Sequence, residues 1–358
     1  MEERKKTNRG LSYIRTTIAI VILTFCIPVA AQEKASIGFL ESIKRVTIRT
    51  VDFVDHILNS YDTLYVDGNL YNLTVMPQYL LDNEHYRFTS LTDGRQSIDI
   101  APDGRHNLRF NLGWRWILVG YSYNLKGDSP QFNFNTSLYT TRFGLDLFYR
   151  KSDSGYRIYG LNGFNDSNTY LKNYNKDFEG LHVSQLGIEL CYAIDKRFSY
   201  AAAYSQSTMQ RRSAGSLILG AGYNRQRFTF DHEKLDPFIE GQLTNGLKFK
   251  EAAYNDISIH LGYCYNWVFA RNFLASMSLS PALGYKFVAI KSIKDIISKA
   301  NIGFNMTSRA ALLYNNGRYY AGASFVSHTY HYNKEELSIL NSFGILKVYV
   351  GYNFWRRK

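Results

Sequence analysis

Residues 256–287 restrict what this chain can fold into more than any other stretch. Ile257, Ile259, Leu261, Tyr263, Tyr265, Trp267 and Phe269 fall in one phase, and Asp256, Ser258, His260, Gly262, Cys264 and Asn266 in the other. Unbroken alternation of this kind describes a strand with one apolar and one polar face. After Arg271-Asn272 the pattern returns, with Phe273, Ala275, Met277, Leu279, Leu283, Tyr285 and Phe287 opposed to Ser276, Ser278, Ser280, Ala282, Gly284 and Lys286. A two-residue connection between two such runs predicts a tight hairpin. Strands of soluble proteins run to about 5–6 residues, whereas a tilted strand crossing a bilayer needs about 9–11. These two are long enough to cross, and their polar phase is small enough for a wet interior. The expected class is all-β: a closed antiparallel transmembrane β-barrel of about 12 strands (range 10–14) with a short N-terminal helix. A large soluble sandwich is the alternative.

The chain carries 29 Tyr and 23 Phe but only 6 Pro, and its mean hydropathy is -0.27. Such a value does not exclude a barrel, because half of each strand faces water. Residues 1–31 read as a cleaved secretory signal: a basic start (Arg4, Lys5, Lys6, Arg9, Arg15), an apolar run over 16–29, and the small-residue site Val29-Ala30-Ala31. No later run is long and apolar enough for a spanning helix. Export combined with long amphipathic strands points to the outer membrane of a Gram-negative cell. The expected partners are outer-membrane lipids and the barrel-assembly machinery. The formal charge of +12 suits anionic headgroups better than nucleic acid, for which no reader motif is present. Cys191 and Cys264 lie on polar strand phases, and their pairing stays open.

Residues 32–106 read as an N-terminal periplasmic helix with rim strands, and 107–358 as the barrel. Within 33–60, Ile43, Val46, Phe53, Val54 and Ile57 form one helical stripe, a possible plug or site for a periplasmic partner, although packing on the barrel end explains it as well. Short alternating pieces follow at 71–75, 86–88 and 96–100. The apolar phase slips at 113–115 and again at 140–142, each a bulge or a tight turn. Residues 198–204 read as a strand. Alternation of short periplasmic turns with long outer loops further requires a weakly patterned strand within 238–249 and a long connection before the last strand. From Trp116 onward this counts twelve strands, by a pattern reading that allows two either way.

Several phrases together, YDTLYVDGNLYNLTVMPQ (61–78), GWRWILVGYSYNL (113–125), GLDLFYRKS (144–152), FSYAAAYSQSTMQRRSAGSLILG (198–220) and YCYNWVFARNFLASMSLSPALGY (263–285), resemble an outer-membrane barrel family of Bacteroides-type bacteria described as a domain of unknown function. The resemblance covers nearly all of the chain after residue 31. It implies a barrel in the outer membrane and carries no activity, cofactor or site residue.

Three sets of residues are candidates for chemistry. Residues 205–216 are polar in both phases, so Ser205, Ser207, Gln210, Arg211, Arg212, Ser213 and Ser216 could contact a ligand or lipid headgroup, the two arginines serving as anion partners. A solvated connection is the plainer account. Arg109, Arg115, Arg142 and Arg150 fall in polar phases with Asp146, Glu189 and His260, and could line the lumen. Lumen charges would then tune an anion-preferring pore, or the arginines would form a ladder with Asp99, Asp146 and Glu189. Ser258 and His260 share a strand face and could serve an esterase, but positions i and i+2 lie about 7 Å apart, against the ~3 Å that a hydrogen bond needs. There is no HExxH, no Cys/His metal spacing and no phosphate loop at Gly220-Ala221-Gly222, so no cofactor is expected. The function expected first is a structural or binding barrel with a filled or narrow lumen. A passive small-solute or anion channel and a membrane-embedded esterase or lipid hydrolase are the alternatives.

Overall fold

The computed structural model describes residues 60–356, apart from 93–94, 115–116, 127–130, 166–170, 172, 288–300 and 335. The expected signal sequence, residues 33–59 of the expected helix and Arg115 therefore lie outside the described residues. The chain is all-β. In order come β1 (Val66–Gly68), β2 (Tyr71–Ser90), β3 (Ser97–Pro102), β4 (Arg105–Trp114), β5 (Ile117–Lys126), β6 (Gln131–Tyr139), β7 (Phe143–Ser152), β8 (Tyr156–Asn162), β9 (Lys176–Phe178) and β10 (Leu181–Ala193). Then follow helix α1 (Tyr200–Tyr204), β11 (Thr208–Gln210), β12 (Ala214–Phe230), helix α2 (Pro237–Glu240), β13 (Glu251–Ala270), β14 (Phe273–Phe287), β15 (Asn301–Asn315), β16 (Tyr319–Lys334) and β17 (Leu337–Arg356).

One antiparallel path runs β6-β7-β10-β12-β13-β14-β15-β16-β17-β2, and β4 and β5 continue from β2. β2 also forks. Its residues 73–82 pair with β4, and its residues 86–89 pair with β3, which leads on to β8 and β9. The sheet rolls so that distant strands meet across an interior: Arg309 on β15 reaches Asp146 on β7, and Phe343 on β17 packs against Phe148 on β7. Closure is the point of difference. Among the described residues β5 pairs only with β4 and β6 only with β7, so hydrogen bonds do not join the two ends of the path.

The patterning of β13 shows why the chain rolls this way. Its apolar phase faces out, with Ile259 at 72% and Leu261 at 60% exposure, while Asp256, Ser258, His260, Cys264 and Asn266 are buried. β14 and β15 continue the same outward band through Met277, Leu283, Ile302 and Phe304. A soluble sandwich of such strands would bury the apolar phase, and this sheet does the reverse.

All the path strands end at one of two rims. The turn end holds 140–142, 271–272 and 316–318, the end of β4, the starts of β5 and β2 and the end of β17. The loop end holds the longer connections 91–104, 153–180 and 231–250, the end of β14 and the start of β15. The phase slips at 113–115 and 140–142 are tight turns: Trp114 pairs with Ile117, and Tyr139 pairs with Gly144. The hairpin at 271–272 forms as its spacing predicts.

Four local expectations fail. Residues 198–204 are helix α1 instead of a strand, with Ser199 as the N-cap whose side chain accepts from the Ala202 N–H. Tyr200 and Tyr204 pack on one another from positions i and i+4, a spacing that serves a helix as well as a strand. Residues 238–249 hold α2 and a 3-10 turn, begun by Asp236 capping and Pro237 at the first turn. The connection before the last strand is short, since β16 ends at Lys334 and β17 starts at Leu337. The pieces at 71–75 and 86–88 belong to one 20-residue strand, β2. Among the described residues ten path strands follow Trp116, within the range of two either way, and β2 and β4 precede it.

Candidate functional site

Inward positions of the path strands carry an unusual density of buried charge. Each sits where it does because strand alternation turns every second residue inside. Across the interior, Arg309 Nη2 lies 2.5 Å from Asp146 Oδ2, and the Tyr139 hydroxyl donates to the other Asp146 oxygen at 2.7 Å. Arg150 Nη1 lies 2.9 Å from Glu84 Oε1, which Arg105 also contacts. The Arg150 guanidinium sits 4.2 Å over the Phe343 ring. Lys286 pairs with Asp256 and donates to Asn305 Oδ1 at 2.8 Å, while Asn305 Nδ2 donates to Asp256 Oδ2 at 2.7 Å. Charges this deep persist only when paired and hydrogen-bonded.

Glu189 forms the centre of a further cluster. Its Oε1 accepts from the Tyr330 hydroxyl at 2.7 Å, and its Oε2 lies 2.9 Å from His260 Nε2. The same His260 nitrogen lies 3.0 Å from Ser258 Oγ. The spacing argument against a Ser258–His260 contact is thus corrected, because it counted the backbone interval and omitted the reach of the imidazole. A hydrolase triad needs the acid and the hydroxyl on opposite ring nitrogens. Here both meet Nε2, and all three side chains are buried, so the geometry does not assemble a nucleophile. Among the described residues no group of three or more His, Cys, Asp or Glu side chains is placed to hold a metal ion.

The interior is stoppered at both ends. At the turn end, α1 and the segment after it enter the opening. Ala202 and Ala203 pack on Leu274, Ala311 and Leu313, and Tyr200 packs beside Tyr139, Cys191, Ile218 and Cys264. Polar contacts pin the plug: Gln206 Nε2 donates to Tyr349 Oη at 2.8 Å, and Asn266 Nδ2 donates to the Ser199 carbonyl at 2.9 Å. Outside the plug, hydrogen bonds from Arg197, the closest at 2.6 Å, hold the Asp195 carboxyl below its usual range. At the loop end, Tyr86, Phe88, Ile98, Ile100, Phe228 and Phe230 belong to one apolar core with Ile158, Leu235, Ile239 and Leu247 from the connections.

The predicted ligand residues lie in the plug segment, the turn after it and the start of β12, and make the following contacts within the protein. Gln210 spends its side-chain amide internally: Nε2 donates to the Arg197 and Arg212 carbonyls at 2.6 and 2.9 Å, and Oε1 accepts from Ser199 N and Asn266 Nδ2 at 3.1 and 3.0 Å. Ser205 donates to the Tyr139 carbonyl at 3.2 Å and meets Ser207 at 3.1 Å. Ser213 and Ser216 accept from Val268 N and Asp195 N at 3.0 and 2.8 Å. Arg211 pairs with Asp67 at 2.5 Å, and Arg212 lies over the Tyr65 ring. Thr208–Gln210 adds a small sheet with Val66–Gly68. Of the lumen set, Asp146, Glu189 and His260 face the interior. Arg109 contacts Ser122 on β5 at 2.6 Å. Arg142 sits on the rim, donating to the Ala193 and Ile194 carbonyls at 3.1 and 2.7 Å, because it belongs to the 140–142 turn and not to a strand. Asp99 pairs with Arg87 on the β2–β3 branch. Sequence reasoning missed Arg309, Glu84 and Tyr330, although Asn305, Thr307 and Arg309 alternate with outward Phe304 and would have marked the inner face.

Cys191 and Cys264 are both free and buried. Cys191 pairs in register with Gly220 and Cys264 with Ser216, so β12 stands between them. Two strand spacings of about 4.8 Å exceed the ~7 Å limit for a disulfide.

Comparison with solved structures finds outer-membrane proteins. The outer-membrane protease OmpT from Escherichia coli is 9% identical with a TM-score of 0.36, over 80% of this chain and 98% of that one. The translocator domain of the autotransporter NalP from Neisseria meningitidis is 11% identical with a TM-score of 0.31, over 87% and 96%. At such scores no residue and no activity is carried across. No curated protein matches the chain. Residues 60–354 match the model described as a domain of unknown function, DUF4421, and the chain belongs to that family.

Proposed function

We propose that this chain is an outer-membrane β-barrel with a sealed interior, acting as a structural or binding component of that membrane and not as a pore. The observation that carries the reading is the interior itself: buried ion pairs such as Arg309–Asp146 span it between opposite walls, with the α1 plug below and an apolar core above. The outward apolar band supports the membrane location, since soluble monomers rarely expose contiguous apolar patches of more than a few hundred Å². By the usual order of short periplasmic turns and longer outer loops, the turn end faces the periplasm. Residues 1–31 then direct export, and the barrel-assembly machinery inserts the chain.

The test is planar-bilayer recording on purified protein first checked for heat-modifiable gel migration. A shift on boiling with no steady conductance is expected. Deleting residues 198–209 should by itself leave the chain non-conducting, because the interior ion pairs and the loop-end core remain. Steady ohmic current from the intact chain would instead make it a channel, and solubility without detergent would end the barrel reading.

A further inference from the structure

The two rims differ in how they handle positive charge. At the loop end, four cations sit beside carboxylates, Lys151 with Asp153, Arg157 with Asp177, Lys176 with Asp236 and Arg227 with Glu251, and Arg95, Lys234, Lys248 and Lys250 stand on the same rim. At the turn end, the rim turns 140–142, 271–272 and 316–318 and the strand end 354–356 each carry an arginine and contain no acidic residue. The turn-end carboxylates are Asp62, beside Lys196, Asp67, which Arg211 engages, and Asp195, which Arg197 engages and which also lies near Arg142.

Each rim arginine also has an aromatic neighbour, in space for Arg142 and Arg318 and along the chain for Arg271 and Arg356. Arg142 lies 4.6 Å over the Tyr192 ring. Arg318 lies 5.5 Å from the Tyr352 ring and 6.0 Å from that of Tyr319. Arg271 closes the hairpin whose strands end in Phe269 and Phe273, with rings 5.8 Å apart. Arg356 follows Trp355, which is 71% exposed. Aromatic rings at such a rim mark the depth of the headgroups. A guanidinium held at that depth meets phosphate oxygens, which it binds through paired N–H donors.

We propose that Arg142, Arg271, Arg318 and Arg356 form a girdle that binds anionic phospholipid headgroups in the leaflet surrounding the turn end. This rests on the outer-membrane barrel reading and adds to it a ligand class and its residues. A free phosphate ion offers the same oxygens, but the aromatic neighbours give it nothing, whereas a lipid engages both.

The experiment purifies the full chain from mixed micelles containing phosphatidylglycerol and phosphatidylcholine in equal amounts and measures retained lipid by native mass spectrometry. The unaltered chain should retain phosphatidylglycerol in several-fold excess. Combined R142Q, R271Q, R318Q and R356Q should remove that excess and bring the ratio of the two lipids close to one, since each basic residue near an anionic surface is worth roughly fivefold. A matched variant at the loop end (R95Q, K234Q, K248Q, K250Q) should keep it, and millimolar inorganic phosphate should not displace the lipid. Equal loss in both variants would reduce the effect to net charge and overturn the girdle. Retention by the rim variant would overturn it too, and displacement by inorganic phosphate would replace the lipid with a free-ion site. Heat-modifiable migration is read on every sample. If the unaltered chain lacks it, the barrel reading fails, and if only lipid retention fails, the girdle fails alone.

Discussion

Glu189 and His260 lie on strands separated by β12, yet their carboxylate oxygen and imidazole Nε2 are 2.9 Å apart. The residue between them explains it. Glu189 pairs in register with Gly222, and Gly222 with Ser258, so the middle of the row has no side chain. A Cβ at 222 would lie 2.7 Å from Ser258 Oγ and 2.8 Å from Glu189 Oε2. Gly222→Val should therefore destabilise the fold by about 1–3 kcal/mol, the usual range for overpacking. Urea unfolding in lipid vesicles measures it, and adding Ser258→Ala should recover part of the loss.

Arg309 and Asp146 are buried partners on opposite walls. Arg309→Met leaves a carboxylate without its counter-charge and should cost about 3–5 kcal/mol, whereas Arg309→Met with Asp146→Asn should cost much less. A double-mutant cycle in the same unfolding assay yields the coupling. Additive effects would mean that the pair contributes no interaction of its own.

Ile259 is 72% exposed on the outward face of β13. In water, Ile259→Lys would be close to neutral, within about 0.5 kcal/mol. Facing lipid near mid-depth it should cost about 2–4 kcal/mol. The unfolding free energy of this one variant separates a membrane wall from a soluble sheet.

Cys191 and Cys264 should stay reduced under oxidising conditions. Migration on a gel without reductant should match that with reductant, and maleimide should label both thiols only after unfolding. A faster oxidised band would show that the two strands approach more closely than their register allows.

The alternation of Ile257 to Phe269 against Asp256 to Asn266 held the essential part of the fold: two faces, their lengths and the hairpin at Arg271-Asn272. The phase slips beside Gly113 and Arg142 held two more turns. Helix α1 was hidden because Tyr200 and Tyr204 are compatible with either period, and burial against Leu274 and Leu313 decides between them. The partners of the interior charges were hidden for another reason. Alternation turns Arg309 and Asp146 inward but does not state which walls face one another, and that depends on how β7 and β15 curve toward each other. The polar run at 205–216 read as a ligand surface because its partners, among them Asn266, Tyr349 and the Arg197 carbonyl, lie in other segments or are backbone atoms with no signature of their own.

The longest register in the sheet joins the first long strand to the last, from Ser90 opposite Leu337 to Tyr71 opposite Arg356. An order of assembly follows. β2 has no partner on that edge until β17 has been made, so this part of the wall cannot be completed while the chain is still being synthesised. Loss of β17 would leave both β2 and β16 with bare edges, which invites association with other chains. Pairing of the first long strand with the last is therefore the step on which completion of this part of the sheet waits.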